Sequence, residues 1–191
     1  MYALPPVTQA LIVTNVLLFF AEGMLGGSFT YRLALWPPGA NFAPWQLLSY
    51  AFVHGGLSHL LFNMFGVYMF GSDLERVWGG RRFIKFYLFC ALAAAVVQLI
   101  VATLDGAQYP TVGASGAVFG LLVAFAMVFP NRIVTPLFPP IPMRAPVFVV
   151  VYGVLELVLG VSGTQQGVAH FAHLGGLAGG YLYLQLSGRR R

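Results

Sequence analysis

Charged residues are scarce in this 191-residue chain, where ten Lys and Arg with five Asp and Glu make up only 8% of the sequence. A soluble domain carries about a quarter charged residues, so this composition excludes a water-soluble globular fold. Disorder is excluded as well, because 59% of the residues are hydrophobic. A single cysteine, Cys90, leaves no intrachain disulfide and no thiolate metal cluster. The sequence therefore predicts an all-α membrane protein with several spans.

Six long apolar runs follow one another along the chain, separated by proline, glycine and charged residues. They occupy residues 7–25, 57–74, 83–104, 115–129, 146–162 and 168–187. One span takes about 20 apolar residues, so we expect each run to form one transmembrane helix of a single domain covering 1–191. The absence of a sequence repeat or an inverted pair of broken runs disfavours solenoids and common transporter architectures.

The basic residues are distributed very unevenly between the predicted loops. Only Arg32 lies at one end of the predicted bundle, and the other nine lie at the opposite end: Arg76, Arg81, Arg82, Lys85, Arg132, Arg144, Arg189, Arg190 and Arg191. The positive-inside rule then predicts that both termini are cytoplasmic. We interpret the net charge of +5 as this topology signal, with the lipid bilayer and no nucleic acid as the partner.

The longest predicted loop, residues 26–56, faces outward in this topology. It contains Trp36, Trp45 and Phe52 among several prolines, and is too apolar for a solvated linker. Amphipathic aromatic side chains of this kind lie at the level of the lipid headgroups. We therefore expect the loop to be partly embedded in the outer leaflet.

Four polar side chains are predicted to share one depth in the membrane. Ser115 and His173 each lie 14 residues before the cytoplasmic end of their run, which corresponds to about 21 Å at 1.5 Å per residue. Asn63 lies about 20 Å up by the same count, and His59 lies one turn higher on the same helix face. Polar groups inside a membrane are energetically unfavourable and usually functional. The pattern predicts a site built from a hydroxyl, two imidazoles and an amide.

Small residues recur at every fourth position in the fourth and sixth runs. They are Gly116, Gly120 and Ala124 in the fourth run and Ala172, Gly176 and Gly180 in the sixth. Such faces let two helix backbones approach closely in lipid. If these two faces meet, Ser115 and His173 come within reach of each other.

Three segments, in order along the chain, resemble the motifs of the rhomboid intramembrane serine proteases. They are Gly113-Ala-Ser-Gly with Gly120 following, Ala172-His-Leu-Gly-Gly with Gly180 following, and His54-Gly-Gly-Leu-Ser-His-Leu-Leu-Phe-Asn. The resemblance covers essentially the whole chain, as the minimal six-span bacterial form of the family. It implies a rhomboid-like helical bundle in the bacterial inner membrane, with transmembrane proteins as substrates.

The resemblance also implies the roles of individual residues. Ser115 would be the nucleophile and His173 its general base and later its general acid, in a dyad without a third, acidic member. The backbone N–H of Ser115 and the side chains of His59 and Asn63 would form the oxyanion hole. Gly113 and Gly116 would allow close backbone approach, and His54 matches the preceding loop histidine. No metal or cofactor is expected.

Two positions depart from the family pattern. Phe119 stands where a tyrosine commonly follows the serine by one turn, so its ring can pack against His173 but carries no hydroxyl. Gln46 follows Trp45 where the family often has arginine, so an arginine anchor to Glu75 is not available. Neither departure removes a catalytic group, and we expect both to affect loop rigidity and rate.

Three alternatives stay open at this point. A non-catalytic rhomboid-like binding protein is the most serious, although such relatives typically lose the serine or the histidine. A channel or transporter would have Glu156 as its one mid-membrane carboxylate, which is too few for a proton relay. A metal site at His170 and His173 lacks a carboxylate or thiolate nearby in the sequence, and we expect His170 to be turned away from the fourth helix. The natural substrate and oligomeric state are not predicted.

Overall fold

The structure is a computed structural model that describes residues 3–137, 139–163 and 169–187. Its helices are α1 (Pro6–Leu25), α2 (Gly27–Leu33), α3 (Gln46–Ser49), α4 (Leu57–Gly66), α5 (Ser72–Trp78), α6 (Gly80–Leu104), α7 (Ser115–Val128), α8 (Ala145–Ser162) and α9 (His170–Leu186). A 3₁₀ turn at Tyr50–Phe52 follows α3, and a π-helical turn at Val67–Gly71 joins α4 to α5. Two short antiparallel strands, β1 (Ile133–Val134) and β2 (Met143–Arg144), lie between α7 and α8. The predicted all-α bundle is confirmed.

Each predicted apolar run coincides with helical structure, with small shifts at the ends. The second run continues beyond residue 74, because α4, the π turn and α5 form one helical segment that ends at Trp78. It ends there because Gly79 takes a φ of 74°, which turns the chain into α6. The sixth run begins as α9 at His170, and its first predicted residue, 168, lies outside the described residues.

Within the described part of the chain, three helices have the length and hydropathy to cross a membrane: α1, α6 and α8. At 14 residues, α7 is shorter and reaches about 21 Å, against about 30 Å for the hydrocarbon layer. Ten of its residues are buried, because α7 is apolar on every side and is the central helix of the bundle. The total of six spans stays a prediction.

The central helix packs most closely against α9, through the two stripes of small residues. A Cβ added to Gly176 would overlap the carbonyl oxygen of Gly116, and one added to Gly180 would lie 2.9 Å from the carbonyl oxygen of Gly120. Any larger side chain would push the two backbones apart. The predicted contact between the two stripes is therefore present, and it fixes α9 against α7.

Backbone hydrogen bonds connect the long loop between α1 and α4 to the segment that precedes α7, which the sequence did not predict. Leu35 and Thr111 form an antiparallel bridge with two backbone hydrogen bonds of 2.9 and 2.8 Å. The N–H of Gly113 donates to the carbonyl oxygen of Tyr50 at 2.9 Å. These bonds attach the loop to the segment that precedes Ser115. Trp45 is 61% exposed, and embedding of the loop in the outer leaflet stays a prediction.

Gln46 holds this loop together at the position where the family often has arginine. Its side chain is buried, and its Oε1 accepts from the N–H groups of Trp36 and Ala43 at 3.3 and 3.2 Å. Its Nε2 donates to the carbonyl oxygen of Asn41 at 3.0 Å. The amide thus satisfies several backbone groups at once, a function that does not need a positive charge.

Glu75 does not anchor the outer loop, because it lies at the other end of α1. Its carboxylate accepts from the N–H groups of Val7 and Thr8 at 2.9 and 2.7 Å and from the Thr8 hydroxyl at 2.7 Å. The first N–H groups of a helix have no acceptor within the helix, and a carboxylate there also interacts favourably with the helix dipole. Glu75 therefore caps the start of α1.

Candidate active site

Ser115 is the first residue of α7, and the glycine two positions before it sets the approach of the chain. Gly113 has a φ of 118°, in the left-handed region that favours glycine. A Cβ at this position would also lie 2.5 Å from Nε2 of His59. Both the backbone conformation and the lack of space require glycine here. The turn brings the Ser115 hydroxyl to the top of the central helix.

Ser115 and His173 are in direct contact. The distance from Ser115 Oγ to His173 Nε2 is 2.7 Å, a short hydrogen bond. Ser115 begins α7 and His173 lies in the first turn of α9, so the small-residue stripes below them align these two helix ends. An imidazole nitrogen at this distance can take the proton of a hydroxyl that attacks a carbonyl group.

Phe119 fixes the plane of the His173 ring. The two rings are stacked, with their centroids 4.4 Å apart and an angle of 8° between their planes. Phe119 lies one turn after Ser115 on α7, so the same helix carries the hydroxyl and the surface on which the imidazole rests. The hydroxyl of the family's tyrosine is absent, but the packing surface is kept.

His59 and Asn63 lie on α4 and face the same region from the opposite side. The Asn63 Nδ2 donates one of its two hydrogens to the carbonyl oxygen of His59 at 3.0 Å. Cβ built on Gly113 would lie 3.6 Å from the Asn63 Nδ2 and 2.5 Å from the His59 Nε2, so both nitrogens lie against Gly113. The N–H of Ser115 is among the first of α7, which have no acceptor within the helix. The two α4 nitrogens therefore lie close to the start of α7, two residues before Ser115.

These side chains line a cavity of about 1460 Å³. Ser115, His173, His59 and Asn63 lie on its walls. Part of its apolar lining comes from the second helical segment and from α8: Phe62, Phe65, Met69, Phe70, Phe148 and Tyr152. More of it comes from α7 and from the segments that precede α7 and α8. The Phe70 and Phe148 rings, with centroids 6.4 Å apart, close the gap between these two segments at its lower end.

A carboxylate lies beside His173, on the side of the ring away from Ser115. Oε2 of Glu156, on α8, is 2.6 Å from Nδ1 of His170 and 2.8 Å from Nδ1 of His173. The contact with His170 is a hydrogen bond. The contact with His173 has the distance of an ion pair but falls outside the angular range of a hydrogen bond. All three side chains are buried.

The family model for the rhomboid domain matches residues 41–190. The chain belongs to the rhomboid family. It is 29% identical over 184 residues to rhomboid protease GluP of Bacillus subtilis. The aligned residues cover 93% of this chain and 34% of GluP. It is 31% identical over 145 residues to the putative rhomboid protease YdcA of the same organism. This alignment covers 75% of this chain and 67% of YdcA.

A third relative of this rhomboid is rhomboid protease GlpG of Klebsiella pneumoniae, 28% identical over 95 residues, which cover 49% of this chain and 34% of GlpG. The chain thus spans about a third of the length of GluP and about two thirds of that of YdcA. Family membership and the apolar helices make this rhomboid a multi-pass membrane protein.

The expectation that no carboxylate lies near His170 and His173 is wrong. Glu156 faces the protein interior and pairs with His170, which is a buried, hydrogen-bonded imidazole, so a carboxylate does complete the cluster. The donor atoms of Glu156, His170 and His173 lie within 4.8 Å of one another, so these are the residues with which this rhomboid could hold a metal ion. The sequence carried a signal for the contact: a lone carboxylate in an apolar run needs a partner, and His170 and His173 share a helix face.

His54 packs behind His59 in the loop that precedes α4 of this rhomboid. It is buried, its ring centroid lies 5.2 Å from that of His59, and neither of its ring nitrogens has a hydrogen-bond partner among the described residues. Burial, together with the nearby His59, lowers the pKa of His54 to about 4. His54 is therefore neutral at pH 7 and supports His59 by packing.

Proposed function

We propose that this rhomboid is an intramembrane serine endopeptidase that cleaves peptide bonds in or near the transmembrane helices of membrane-protein substrates. The observation that carries the proposal is the 2.7 Å contact between Ser115 Oγ and His173 Nε2 beside a cavity. The similarity to GluP and GlpG, both rhomboid proteases, supports it. The activity belongs to the reaction class of acyl transfer to a serine.

In the proposed reaction, Ser115 and His173 act as a Ser–His dyad. Ser115 Oγ attacks the carbonyl carbon of the scissile bond while its proton passes to His173 Nε2. His173 then gives this proton to the leaving amine nitrogen as the C–N bond breaks, which leaves an acyl group on Ser115. Water attacks the acyl carbon and gives one proton to His173 Nε2, which returns it to Ser115 Oγ as the carboxylic acid leaves.

The negative oxygen of the tetrahedral intermediate needs hydrogen-bond donors that are in place before the reaction. We assign these to the N–H of Ser115, the free N–H of the Asn63 amide and the His59 side chain. Support comes from the positions of the two α4 nitrogens against Gly113, two residues before Ser115. Gly113 and Gly116 are the supporting residues that make room for this arrangement.

Substrates are proposed to enter sideways, between the second helical segment and α8. The cavity lies in this gap, and its apolar lining suits a stretch of transmembrane helix that unwinds near the outer leaflet. The predicted cap over residues 161–167 lies in part outside the described residues, since 164–167 are not among them.

The wider proposal is a single domain over 1–191 with six spans, in a bacterial inner membrane, with both termini cytoplasmic. The nine-to-one distribution of basic residues supports this orientation. Cysteine variants at Gln108 and Ser187, both exposed, test it. A membrane-impermeant thiol reagent added to intact cells should label the cysteine at 108 and not the one at 187, and the reverse pattern would contradict the orientation.

The activity is tested with purified protein in proteoliposomes that also contain a single-span substrate. Wild type should cleave the substrate and react with a fluorophosphonate at Ser115, because the neighbouring imidazole activates that hydroxyl. Ser115→Ala and His173→Ala should do neither, while Ser187→Ala, which removes an exposed hydroxyl at the end of α9, should do both. If wild type binds the substrate but neither cleaves it nor reacts, the chain is a binding protein and the proposal fails.

A further inference from the structure

Glu156 lies on a helix that otherwise presents apolar side chains outward. On α8, Val154, Leu157 and Val158 are about half exposed, whereas Glu156 is 9% exposed and faces α9. A carboxylate within an apolar span is energetically unfavourable unless it has partners inside the protein. Among the described residues, the two imidazoles on α9 are its partners.

The contacts of Glu156 continue directly to the nucleophile. Its Oε2 lies 2.8 Å from Nδ1 of His173, and Nε2 of the same ring lies 2.7 Å from Ser115 Oγ. Carboxylate, imidazole and hydroxyl thus follow one another, each within 3 Å of the next. The stacked ring of Phe119 keeps the imidazole in the plane that serves both contacts.

We infer that Glu156 is a positioning residue for His173, so that the dyad of this rhomboid works with an acid as its third member. This inference rests on the proposed serine protease activity. A carboxylate beside Nδ1 keeps the proton on that nitrogen, which leaves the lone pair of Nε2 to receive the proton of Ser115. When His173 carries both protons, the carboxylate stabilises its positive charge.

His170 orients Glu156. Its Nδ1 donates to Glu156 Oε2 at 2.6 Å, and it lies one turn before His173 on α9. The hydrogen bond fixes the carboxylate at the end of a long side chain, which would otherwise lose its position beside His173. The helix spacing thus lets one carboxylate serve two imidazoles on the same face.

The distances within the cluster are too short for a resident zinc ion. A tetrahedral zinc with bonds of 2.0–2.2 Å keeps its ligand atoms about 3.3 Å or more apart. Here the carboxylate oxygen is already 2.6 and 2.8 Å from the two imidazole nitrogens, so the three groups would have to separate to admit an ion. A metal at this position is therefore an outcome of the test rather than the proposal.

The test measures kcat and KM of Glu156→Gln and Glu156→Asp in proteoliposomes, with thermal unfolding of each variant. Asp105→Asn, which changes an exposed carboxyl at the end of α6, is the matched control. Glu156→Gln should lower kcat and the rate of Ser115 labelling by a fluorophosphonate about 10- to 100-fold, because the neutral amide no longer stabilises the positive charge that His173 gains. KM should change less than about twofold, because the carboxylate does not contact substrate. Glu156→Asp should recover part of kcat.

If Ser115→Ala is inactive but Glu156→Gln keeps the kcat and the labelling rate of wild type, the inference about Glu156 is overturned. The inference is also overturned if both Glu156→Gln and Glu156→Asp lose kcat in proportion to their loss of melting temperature. Glu156 would then act only as a structural link between α8 and α9. If Ser115→Ala is active, the proposed function itself fails.

His170→Ala keeps the inference testable if Glu156→Gln does not fold. We expect it to lower kcat about threefold, since Glu156 stays beside His173 but loses one hydrogen bond. A loss as large as that of His173→Ala would contradict the assigned order of the two histidines. A metal site would be identified instead if micromolar zinc sulfate inhibited wild type but not Glu156→Gln, and if that variant kept full kcat without zinc.

Discussion

The two sides of the central helix α7 differ sharply in how they are packed. Toward α9 the backbones touch, and Gly176 has no room for even one additional carbon atom. Toward the second helical segment and α8 there is a cavity of about 1460 Å³, closed at its lower end by Phe70 and Phe148. The rigid side holds Ser115 Oγ and His173 Nε2, the proposed reacting atoms. The open side holds the proposed oxyanion donors and the space in which we propose that a peptide binds.

This difference suits an enzyme that must keep two atoms 2.7 Å apart while it admits a large substrate. A displacement of about 1 Å at the reacting atoms lowers rates severely, so a rigid contact is needed there. Substrate entry instead needs elements that can separate. Each of the following experiments changes one side of α7. The measurement shows whether the packing or the activity that depends on that side is lost.

The largest effect is expected from the open side, at Asn63. Asn63→Ala removes a donor placed for the oxyanion, which typically lowers kcat by about 10²–10³-fold, or roughly 2.7–4 kcal/mol of transition-state stabilisation. Because Asn63 does not contact His173, the Ser115–His173 pair should remain intact. Turnover of a membrane substrate measures the effect, and Asn41→Ala in the outer loop is the control. A folded Asn63→Ala protein with full kcat would refute the oxyanion assignment.

The next effect is expected from the rigid side, at Gly176. Gly176→Ala places a methyl group on the carbonyl oxygen of Gly116, and overpacking against backbone should destabilise the protein by about 3 kcal/mol. Thermal unfolding in detergent measures the loss, and Ser115 labelling shows whether α9 has shifted. Gly23→Ala in α1, where an added Cβ meets nothing within 4 Å, should leave the melting temperature unchanged or higher. Equal stability of the two variants would mean that the close contact does not matter.

A smaller effect depends on pH and concerns His54, at the loop end of the open side. The pKa of His54 is about 4 in the folded protein and 6.5 without its surroundings, so the unfolded chain takes up a proton first as the pH falls. Stability should be unaffected above pH 6.5 and lost as the pH drops toward 4, by about 2 kcal/mol between pH 7 and pH 5.

His54→Leu should flatten this dependence when denaturant unfolding is measured at pH 7 and pH 5. The groups that face His54 are the His59 ring and the Glu22 carboxylate, which accepts from the His54 N–H. His59→Leu is a separate control, because His59 is itself ionisable. An identical pH slope in wild type and His54→Leu would show that His54 is not the group that titrates.

The smallest effect is expected when the open side is held closed. Cysteines at Phe62 and Tyr152, which line the cavity from its two walls, can be joined with a bifunctional thiol reagent, since the native Cys90 is buried. Cleavage of a membrane substrate should fall about tenfold, and cleavage of a short soluble peptide should change little. Each single-cysteine variant treated with the same reagent is the control. Equal inhibition of both substrates would remove the support for sideways entry.

Much of this fold could be predicted because its strongest determinants are local. The apolar runs gave the helices, and the glycines at every fourth position indicated which two helices would touch. Helix rise placed Ser115, His173 and Asn63 at one level without any knowledge of their neighbours. The Ser115–His173 contact follows once those depths are combined with the touching faces.

The features that were missed depend on contacts between distant segments. Glu156 is one carboxylate in an apolar run, and only the packing of α8 on α9 shows which imidazoles it meets. The π turn at Val67–Gly71 accompanies close packing at its flanking glycines: a Cβ on Gly66 would lie 2.6 Å from Val118. The structure within the outer loop arises from backbone bonds to Thr111 and Gly113, which periodicity does not reveal.

The cap of α1 by Glu75 has a consequence for biosynthesis. A ribosome delivers the start of α1 to the membrane 67 residues before it delivers the carboxylate that accepts from Thr8. Until then the N–H groups at residues 7 and 8 must be satisfied by water or lipid headgroups. The first helix can insert early, but its docking is completed only when the second helical segment has been made, so the order of translation also sets an order of assembly.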